Sequence, residues 1–378
     1  MSSLGILFMR RGIQSHPTAG SDHIRFRDEA VAEICIANFS TDGVGVTRDD
    51  AAAVTSLGGK FKGNTAITSF DELEYFGVKI LAASEFNGCT NLQSINLSNI
   101  KGIGASAFVG CTNLQSINSD LSNATSIGAN AFDGCTNLFI DEINAVQLAS
   151  LGNYAFRGVN VTRWATTGRL TTFNSYAATY GVVSEMLFGD AITATTFPRG
   201  YYDGNTTLAK LRIPNAVTEV NAYACRGCTN LKKVEGLEHI RSTGSEAFSK
   251  AAIEGHLDLL EYQISGNSDF SDTNITSIYL PSIVTMAQQF VARSPRLVKV
   301  EIGESVTTMS GRWAFIECPL LTTIIVRATT PPAGSSNMLQ DSPNAIIYVP
   351  DESVDAYKAA SGWSNNASRI QPLSSYSE

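Results

Sequence analysis

The chain has 378 residues, of which 43% are hydrophobic and 16% are charged, and its formal net charge is −8 at pH 7. This hydrophobic content is sufficient for a large core and disfavours an intrinsically disordered chain. Acidic residues outnumber the 27 basic ones, which disfavours a nucleic-acid-binding protein because contacts to phosphates need clustered lysine and arginine.

Residues 1–20 are interpreted as a leader or tail segment. The apolar stretch Leu4–Met9 is too short for the core of a secretory signal peptide, and Arg10 and Arg11 stand where an uncharged cleavage region would lie. We therefore expect no classical signal peptide. The chain contains no run of about 20 consecutive apolar residues, so the sequence predicts no membrane span.

Residues 21–56 are predicted to form a helix-loop-helix cap at the N-terminus. In His23–Cys35, charged and apolar residues alternate at helical spacing, and Asp49–Val54 predicts a second short helix. The two helices would cover the first unit of the segment that follows.

Residues 57–332 repeat one short phrase, Phe-x-Gly-Cys-Thr-Asn-Leu. The copies are Phe86–Leu92, Phe108–Leu114 and Phe132–Leu138, with a fainter one at Cys225–Leu231. A period of about 23 residues is typical of a solenoid, in which each unit buries its apolar face only against its neighbours. We expect roughly a dozen units, with a degenerate one at Phe173–Val183.

One short strand is predicted in each unit. Leu92, Ile95 and Leu97 have the spacing that places a loop residue and then two strand residues on one inner face. Stacking of the units would align these strands in a curved parallel sheet. Glycines such as Gly88 and Gly110 are expected to allow the tight turn beside the strand.

The repeat phrase resembles the BspA-type leucine-rich repeat family, which is found in surface and secreted proteins of gut and oral bacteria. The resemblance covers about Leu57–Pro332, and Ile347–Pro350 with Val354–Trp363 is similar to the segment that closes many members. It implies an α/β repeat solenoid, a leucine-rich repeat with a helical N-terminal cap and a small C-terminal cap at residues 333–378.

No metal or other cofactor is expected. Related proteins often carry a calcium-binding loop in the N-terminal cap, and this chain keeps Asp42 but has Ser40 and Val44 at the neighbouring alternate positions. Calcium needs six or more oxygen ligands, so these substitutions disfavour it. Cys225 and Cys228 have the spacing of half a zinc site, but no second pair completes four ligands.

The cysteines and histidines also predict no catalysis. Five cysteines occupy one repeat position and are expected to be reduced, buried and to act as small hydrophobic residues: Cys89, Cys111, Cys135, Cys228 and Cys318. The four histidines have no paired nucleophile motif, and the sequence contains no glycine-rich phosphate loop. The sequence therefore predicts a protein that is not an enzyme.

Candidate binding residues are those that flank the inward positions of the strands and should face outward. They are Ser94, Asn96, Ser116, Asn118, Lys210, Arg212, Lys233, Glu235, Ser277, Tyr279, Lys299 and Glu301. The small residues of the first half suit a glycan, and the Lys/Glu mixture of the second half suits a protein. Tyr279 is the exposed aromatic candidate, a residue type favoured at binding hot spots. An ordinary solvated polar face is the alternative interpretation.

These features indicate a non-enzymatic recognition or adhesion protein that binds a protein or glycan on a cell surface. The leader, Gly43–Thr47 and Ala51–Phe76 are also similar to repeat proteins of phages and prophages of gut Bacteroidales, which implies a virion tail component that leaves by lysis. The alternative is a structural spacer or assembly element that contacts neighbouring virion proteins. The expected location is a virion or extracellular surface, and the alternative is the cytoplasm. Each of these interpretations is compatible with an oligomer.

Overall fold

The computed structural model describes residues 22–171, 182–309, 314–334 and 337–377. The leader at residues 1–20, most of the degenerate unit at Phe173–Val183 and Trp313 lie outside this part of the chain. The chain winds into about 13 stacked turns of about 23 residues each, with all paired strands of the turns parallel. The predicted solenoid is confirmed.

Two helices, α1 (Glu29–Phe39) and α2 (Arg48–Ala53), precede the first turn. Asp28 is the N-cap of α1, and its Oδ1 accepts a hydrogen bond of 3.1 Å from the backbone N–H of Val31. The Oδ2 atom of the same carboxylate accepts a hydrogen bond of 2.6 Å from the Thr68 hydroxyl in the first repeat. This one side chain therefore joins the helical segment to the solenoid.

One side of the solenoid carries the longer strands and is called the wide face. Its strands are β1 (Ser69–Phe70), β3 (Ser94–Ile95), β6 (Phe139–Asn144), β8 (Asn160–Thr166), β9 (Val183–Phe188), β11 (Lys210–Arg212), β13 (Lys233–Glu235), β15 (Glu254–Asp258), β16 (Asn274–Leu280), β18 (Lys299–Ile302), β20 (Thr323–Val326), β21 (Ile346–Val349) and β22 (Ile370–Pro372). Side chains alternate along these strands between the core and the outer surface, as in β18, where Val300 and Ile302 are buried.

A second side, the narrow face, carries strands of two residues. They are β2 (Ile80–Leu81), β4 (Gly102–Ile103), β5 (Ser126–Ile127), β7 (Ser150–Leu151), β10 (Thr196–Phe197), β12 (Glu219–Val220), β14 (Ser242–Thr243), β17 (Thr285–Met286) and β19 (Thr308–Met309). Most units thus hold two strands, which corrects the prediction of one strand per unit. A strand of two residues is too short to show the alternating pattern from which strands are predicted.

A third side consists of turns and holds the repeated phenylalanines inside. The rings of Phe86, Phe108, Phe132 and Phe156 stack with centroids 5.3, 5.0 and 5.2 Å apart, and all four residues are buried. The backbone N–H of Phe108 donates a hydrogen bond of 2.8 Å to the carbonyl of Ala131 in the next unit. Aromatic contacts and backbone hydrogen bonds therefore both connect successive turns on this side.

The repeated cysteines lie beside this aromatic stack. The Sγ of Cys111 donates a hydrogen bond of 3.1 Å to the carbonyl oxygen of Phe86, and the Sγ of Cys135 donates one of 3.1 Å to that of Phe108. At the same repeat position, the hydroxyl of Ser342 donates one of 2.6 Å to the Phe315 carbonyl. Val159 and Ala251 occupy the same position in other units and are also buried, so the position requires a small side chain, and a donor there adds a hydrogen bond to the preceding unit.

All seven cysteines are free and buried, and none is expected to react with a thiol reagent in the native protein at about pH 8. Burial raises the pKa of Cys89 to about 11 and that of Cys111 to about 12, so little of the reactive thiolate is present. Titration with a chromogenic disulfide should count no thiols in the native state and all seven in guanidinium chloride. Reaction of any thiol in the folded protein would contradict this expectation.

Glycine is required at two places in each regular unit. Gly110 has a φ of +76°, the left-handed region that glycine adopts without steric cost. Gly128 follows β5, and a Cβ atom there would lie only 2.5 Å from the backbone nitrogen of Ala105 in the preceding unit. The first glycine allows a turn, whereas the second allows two turns of the solenoid to approach each other.

The segment after residue 332 continues the wide face with β21 and β22 and adds the helix α3 (Val354–Ala359). Trp363 is buried, and its indole N–H donates a hydrogen bond of 2.8 Å to the carbonyl of Pro332. Tyr357 packs edge-on against this ring at 4.8 Å. The aromatic pair closes the apolar interior at this end.

Candidate binding surface

Three of the four candidate residues at the start of the wide face, Asn96, Ser116 and Asn118, form hydrogen bonds with neighbouring side chains. The fourth, Ser94, is paired with Ser116 through the backbone. The Asn96 amide donates a hydrogen bond of 3.2 Å to Glu74, and the Asn118 amide donates one of 2.9 Å to Asp71. Both acceptors belong to a short 3-10 helix, Asp71–Tyr75. These amides connect two later turns of the solenoid to its first turn.

The next four candidates form ion pairs in the middle of the wide face. They are Lys210, Arg212, Lys233 and Glu235. The Glu235 carboxylate lies 3.0 Å from the ammonium of Lys233 and 3.5 Å from that of Lys210, and Arg212 pairs with Asp190 at 2.6 Å. The hydrogen bond from Lys233 lowers the pKa of Glu235. Such exposed pairs contribute about 0–1 kcal/mol each and neutralise one another.

The last four candidates, Ser277, Tyr279, Lys299 and Glu301, lie together. Ser277 is opposite Lys299 and Tyr279 is opposite Glu301 in the pairing of β16 with β18. They line a shallow depression with His256 and Asp258 of β15, and the six residues are called the Tyr279 surface. Their role in binding stays a prediction.

Within the Tyr279 surface, His256 links two polar neighbours. Its Nε2 lies 3.0 Å from Asp258 Oδ1, and its Nδ1 lies 2.7 Å from Ser277 Oγ. Sequence analysis missed this histidine, although the His-x-Asp spacing in a strand places both side chains on one face. The imidazole and the hydroxyl are thereby held in fixed orientations.

An Asp–His–Ser order also occurs in serine hydrolases, where backbone N–H groups directed at the substrate stabilise an oxyanion. Here Ser277 lies within a parallel strand, and the N–H groups of such strands are directed along the sheet to the neighbouring strands. The geometry around Ser277 therefore supports hydrogen bonding to a ligand and does not support acyl transfer.

The charges of the Tyr279 surface and its neighbour Arg327 are balanced, with two cations and two carboxylates. Glu301 accepts hydrogen bonds of 2.6 and 2.9 Å from the guanidinium of Arg327 and lies 3.5 Å from the ammonium of Lys299. Asp258 has His256 as its neighbour. The depression is therefore rich in hydrogen-bonding groups without a large excess of either charge.

The C-terminal segment borders this surface. The ring of Tyr376 lies 5.0 Å from that of Tyr348 on β21, and its centroid lies 5.3 Å from the ammonium of Lys299 on β18. Between these strands, Ile325 occupies an outward position of β20 and yet is only 1% exposed. The contacts of Tyr376 with side chains of β18 and β21 therefore span β20 on the outer surface, where Ile325 is buried, an arrangement that periodicity within one strand could not predict.

Six copies of the BspA type Leucine rich repeat region match residues 60–181 and 195–322, which is more than half of the chain. The chain belongs to the BspA-type leucine-rich repeat family. A leucine-rich repeat is a non-enzymatic kind of fold.

Three solved structures are similar to this BspA-type repeat protein. A leucine-rich repeat protein from Bacteroides ovatus is 20% identical over 73% of this chain and 84% of its own, with a TM-score of 0.53. The pneumococcal vaccine antigen PcpA (15% identity, 83% and 74% coverage, TM-score 0.42) and a leucine rich cell surface protein from Faecalibacterium prausnitzii (18%, 75% and 83%, 0.29) also match. The first likeness shows the fold. No curated protein sequence matches the chain.

The BspA-type solenoid contains a buried carboxyl group beside β14 of the narrow face. Asp269 accepts hydrogen bonds from the hydroxyls of Tyr262, at 2.6 Å, and Thr243, and from the backbone N–H of Gly266, at 2.7 Å. Burial raises the pKa of Asp269 to about 7. The repeat could have indicated this site, because Asp269 stands before the anchor Phe270, where regular units have alanine.

In the loop considered for calcium, the carboxylate of Asp42 already accepts hydrogen bonds from other groups of the loop. Asp42 Oδ1 accepts hydrogen bonds from the Val44 N–H at 2.7 Å, the Ser40 hydroxyl at 2.9 Å and the Gly45 N–H at 3.1 Å, and Oδ2 lies 2.9 Å from His23. The backbone hydrogen bonds, first that of Val44, hold the pKa of Asp42 well below its usual range. In the described parts of the chain, no cluster of three or more histidine, cysteine or acidic side chains could hold a metal ion.

Within the residues that the structure describes, no helix is both long enough and apolar enough to cross a bilayer.

Proposed function

We propose that this protein is a non-enzymatic recognition or adhesion protein that binds its partner through the Tyr279 surface. The observation that supports this proposal is the convergence of six polar or aromatic side chains from β15, β16 and β18 on one depression. The other candidate residues contact one another or the neighbouring acidic residues. A BspA-type repeat protein is compatible with binding or adhesion.

Within this proposal, the partner is a protein or glycan on a cell surface, and the chain is carried on a cell or a virion. The virion location is supported only by the resemblance of Gly43–Thr47 and Ala51–Phe76 to phage-encoded repeat proteins. Tail genes beside the gene for this chain would support it, and a polysaccharide-use cluster would argue against it.

Substitution of Ser277, Tyr279 and Lys299 together by alanine is expected to lower binding to cells on the order of tenfold or more, because hot-spot residues dominate binding energies. The three side chains lie outside the core, so the melting temperature should change little. Fluorescently labelled protein is titrated onto a panel of intact bacterial and animal cells, and bound protein is measured by flow cytometry.

The matched control is Phe139→Ala, which removes an aromatic side chain that is 58% exposed on β6 of the same face. It should bind cells like the unchanged protein. If the triple alanine variant binds cells as well as the unchanged protein, the recognition site lies outside the Tyr279 surface. Absence of binding to every cell type, with self-association in light scattering, would favour the spacer or assembly element instead.

A further inference from the structure

We infer that the ligand of the Tyr279 surface is a neutral saccharide, an inference that rests on the proposed function and adds the ligand class. Three properties of the surface carry it: the pairing of its charges, its size, and the position of one aromatic ring among hydrogen-bonding groups.

The pairing of charges favours an uncharged ligand. The two cations Lys299 and Arg327 contact Glu301, and together they balance the carboxylates of Glu301 and Asp258; Asp258 contacts His256, which is a cation only when protonated. An anionic ligand would compete with the carboxylates for these cations, and a cationic ligand would meet cations already in place. An uncharged ligand that forms hydrogen bonds with these residues avoids both costs.

The size of the depression favours a small ligand. It extends over the adjacent strands β15, β16 and β18, and parallel strands lie about 4.8 Å apart, so it is on the order of 10 Å wide. This width corresponds to one or two sugar rings. A stable protein interface needs about 800 Å² on each partner. On the β18 side, the ring of Tyr376 lies 5.3 Å from the ammonium of Lys299, a residue that lines the depression.

The arrangement of groups matches the two sides of a sugar ring. A pyranose has an apolar face of C–H groups and a rim of hydroxyls, and the ring of Tyr279 offers an apolar surface with a polar end. Ser277, Asp258 and Glu301, on the same and the two flanking strands, offer a hydroxyl and two carboxylates to the rim. The Tyr279 hydroxyl itself forms no hydrogen bond to any residue that the structure describes.

The inference is tested with the full chain on a printed array of neutral, sialylated and sulfated oligosaccharides. Binding to neutral members is expected. Tyr279→Ala should weaken it on the order of tenfold, whereas Tyr279→Phe, which keeps the ring, should retain most of it. Phe139→Ala serves again as the control with an unchanged result. Binding to sialylated or sulfated members alone would overturn the inference, as would equal binding by Tyr279→Ala.

A second arm separates this inference from the proposed function. Cells are treated with periodate, which destroys vicinal diols of sugars, before the labelled chain is added. Loss of binding supports a saccharide ligand. Binding that survives periodate, but is still lost in the triple alanine variant, would overturn the saccharide while the proposed function stands. Absence of binding to the array and to untreated cells would overturn both.

Discussion

Replacement of Phe108 by alanine is expected to lower the free energy of unfolding by about 3–5 kcal/mol. The ring is completely buried between Phe86, at 5.3 Å, and Phe132, at 5.0 Å, so its removal leaves a cavity and ends two stacking contacts. Each unit of a solenoid contacts mainly its neighbours, and the loss should therefore loosen the adjacent units as well. Chemical denaturation measures the total, and amide hydrogen exchange locates the loosened turns.

The control for this substitution is again Phe139→Ala, since an equal loss of atoms from an exposed position should change stability by only about 0.5 kcal/mol. A loss below about 1 kcal/mol for Phe108→Ala would show that the turns close around the missing ring. In that case the stacked phenylalanine rings would be a consequence of the repeated sequence and would not be needed for the stability of the solenoid.

The contribution of Asp269 to stability is expected to fall as the pH rises from about 4 to about 7. Burial raises the pKa of this carboxyl from an ordinary 3.8 to about 7, so between these values the folded protein retains a proton that the unfolded chain has lost. Stability is therefore greatest below the lower value and decreases until the higher value is reached. At about 1.4 kcal/mol for each pH unit, the decrease is on the order of 4 kcal/mol.

The variant Asp269→Asn isolates this effect. Asparagine cannot ionise, yet its carbonyl oxygen can still accept hydrogen bonds from the hydroxyls of Tyr262 and Thr243. Other acidic groups stabilise the fold more as the pH rises. One is Asp190, whose pKa is lowered chiefly by its hydrogen bond from Arg212. These groups are the same in both proteins, so their effect cancels in the comparison. The difference in unfolding free energy between the two proteins, measured from pH 4 to pH 8, should therefore slope with pH. A constant difference would show that Asp269 is ionised throughout.

The candidate surface was predicted in part. Ser277, Tyr279, Lys299 and Glu301 were named from alternation along single strands, and the structure places them side by side. Alternation could not show that Lys210 and Lys233 both pair with Glu235, because such pairs depend on how successive turns align. His256 was missed because its partner Ser277 lies 21 residues further along the chain.

By itself, the sequence determined the solenoid, its period and the identity of its interior, because a repeat of Phe, Cys and Leu can be buried only by stacking one copy on the next. Only the tertiary structure decided what depends on contacts between turns: the second strand of most units, the hydrogen bonds of the thiols, the burial of Asp269, and the contacts of Tyr376 with Tyr348 and Lys299. Local periodicity reports which way a side chain points, whereas these features depend on which residue of another turn lies opposite.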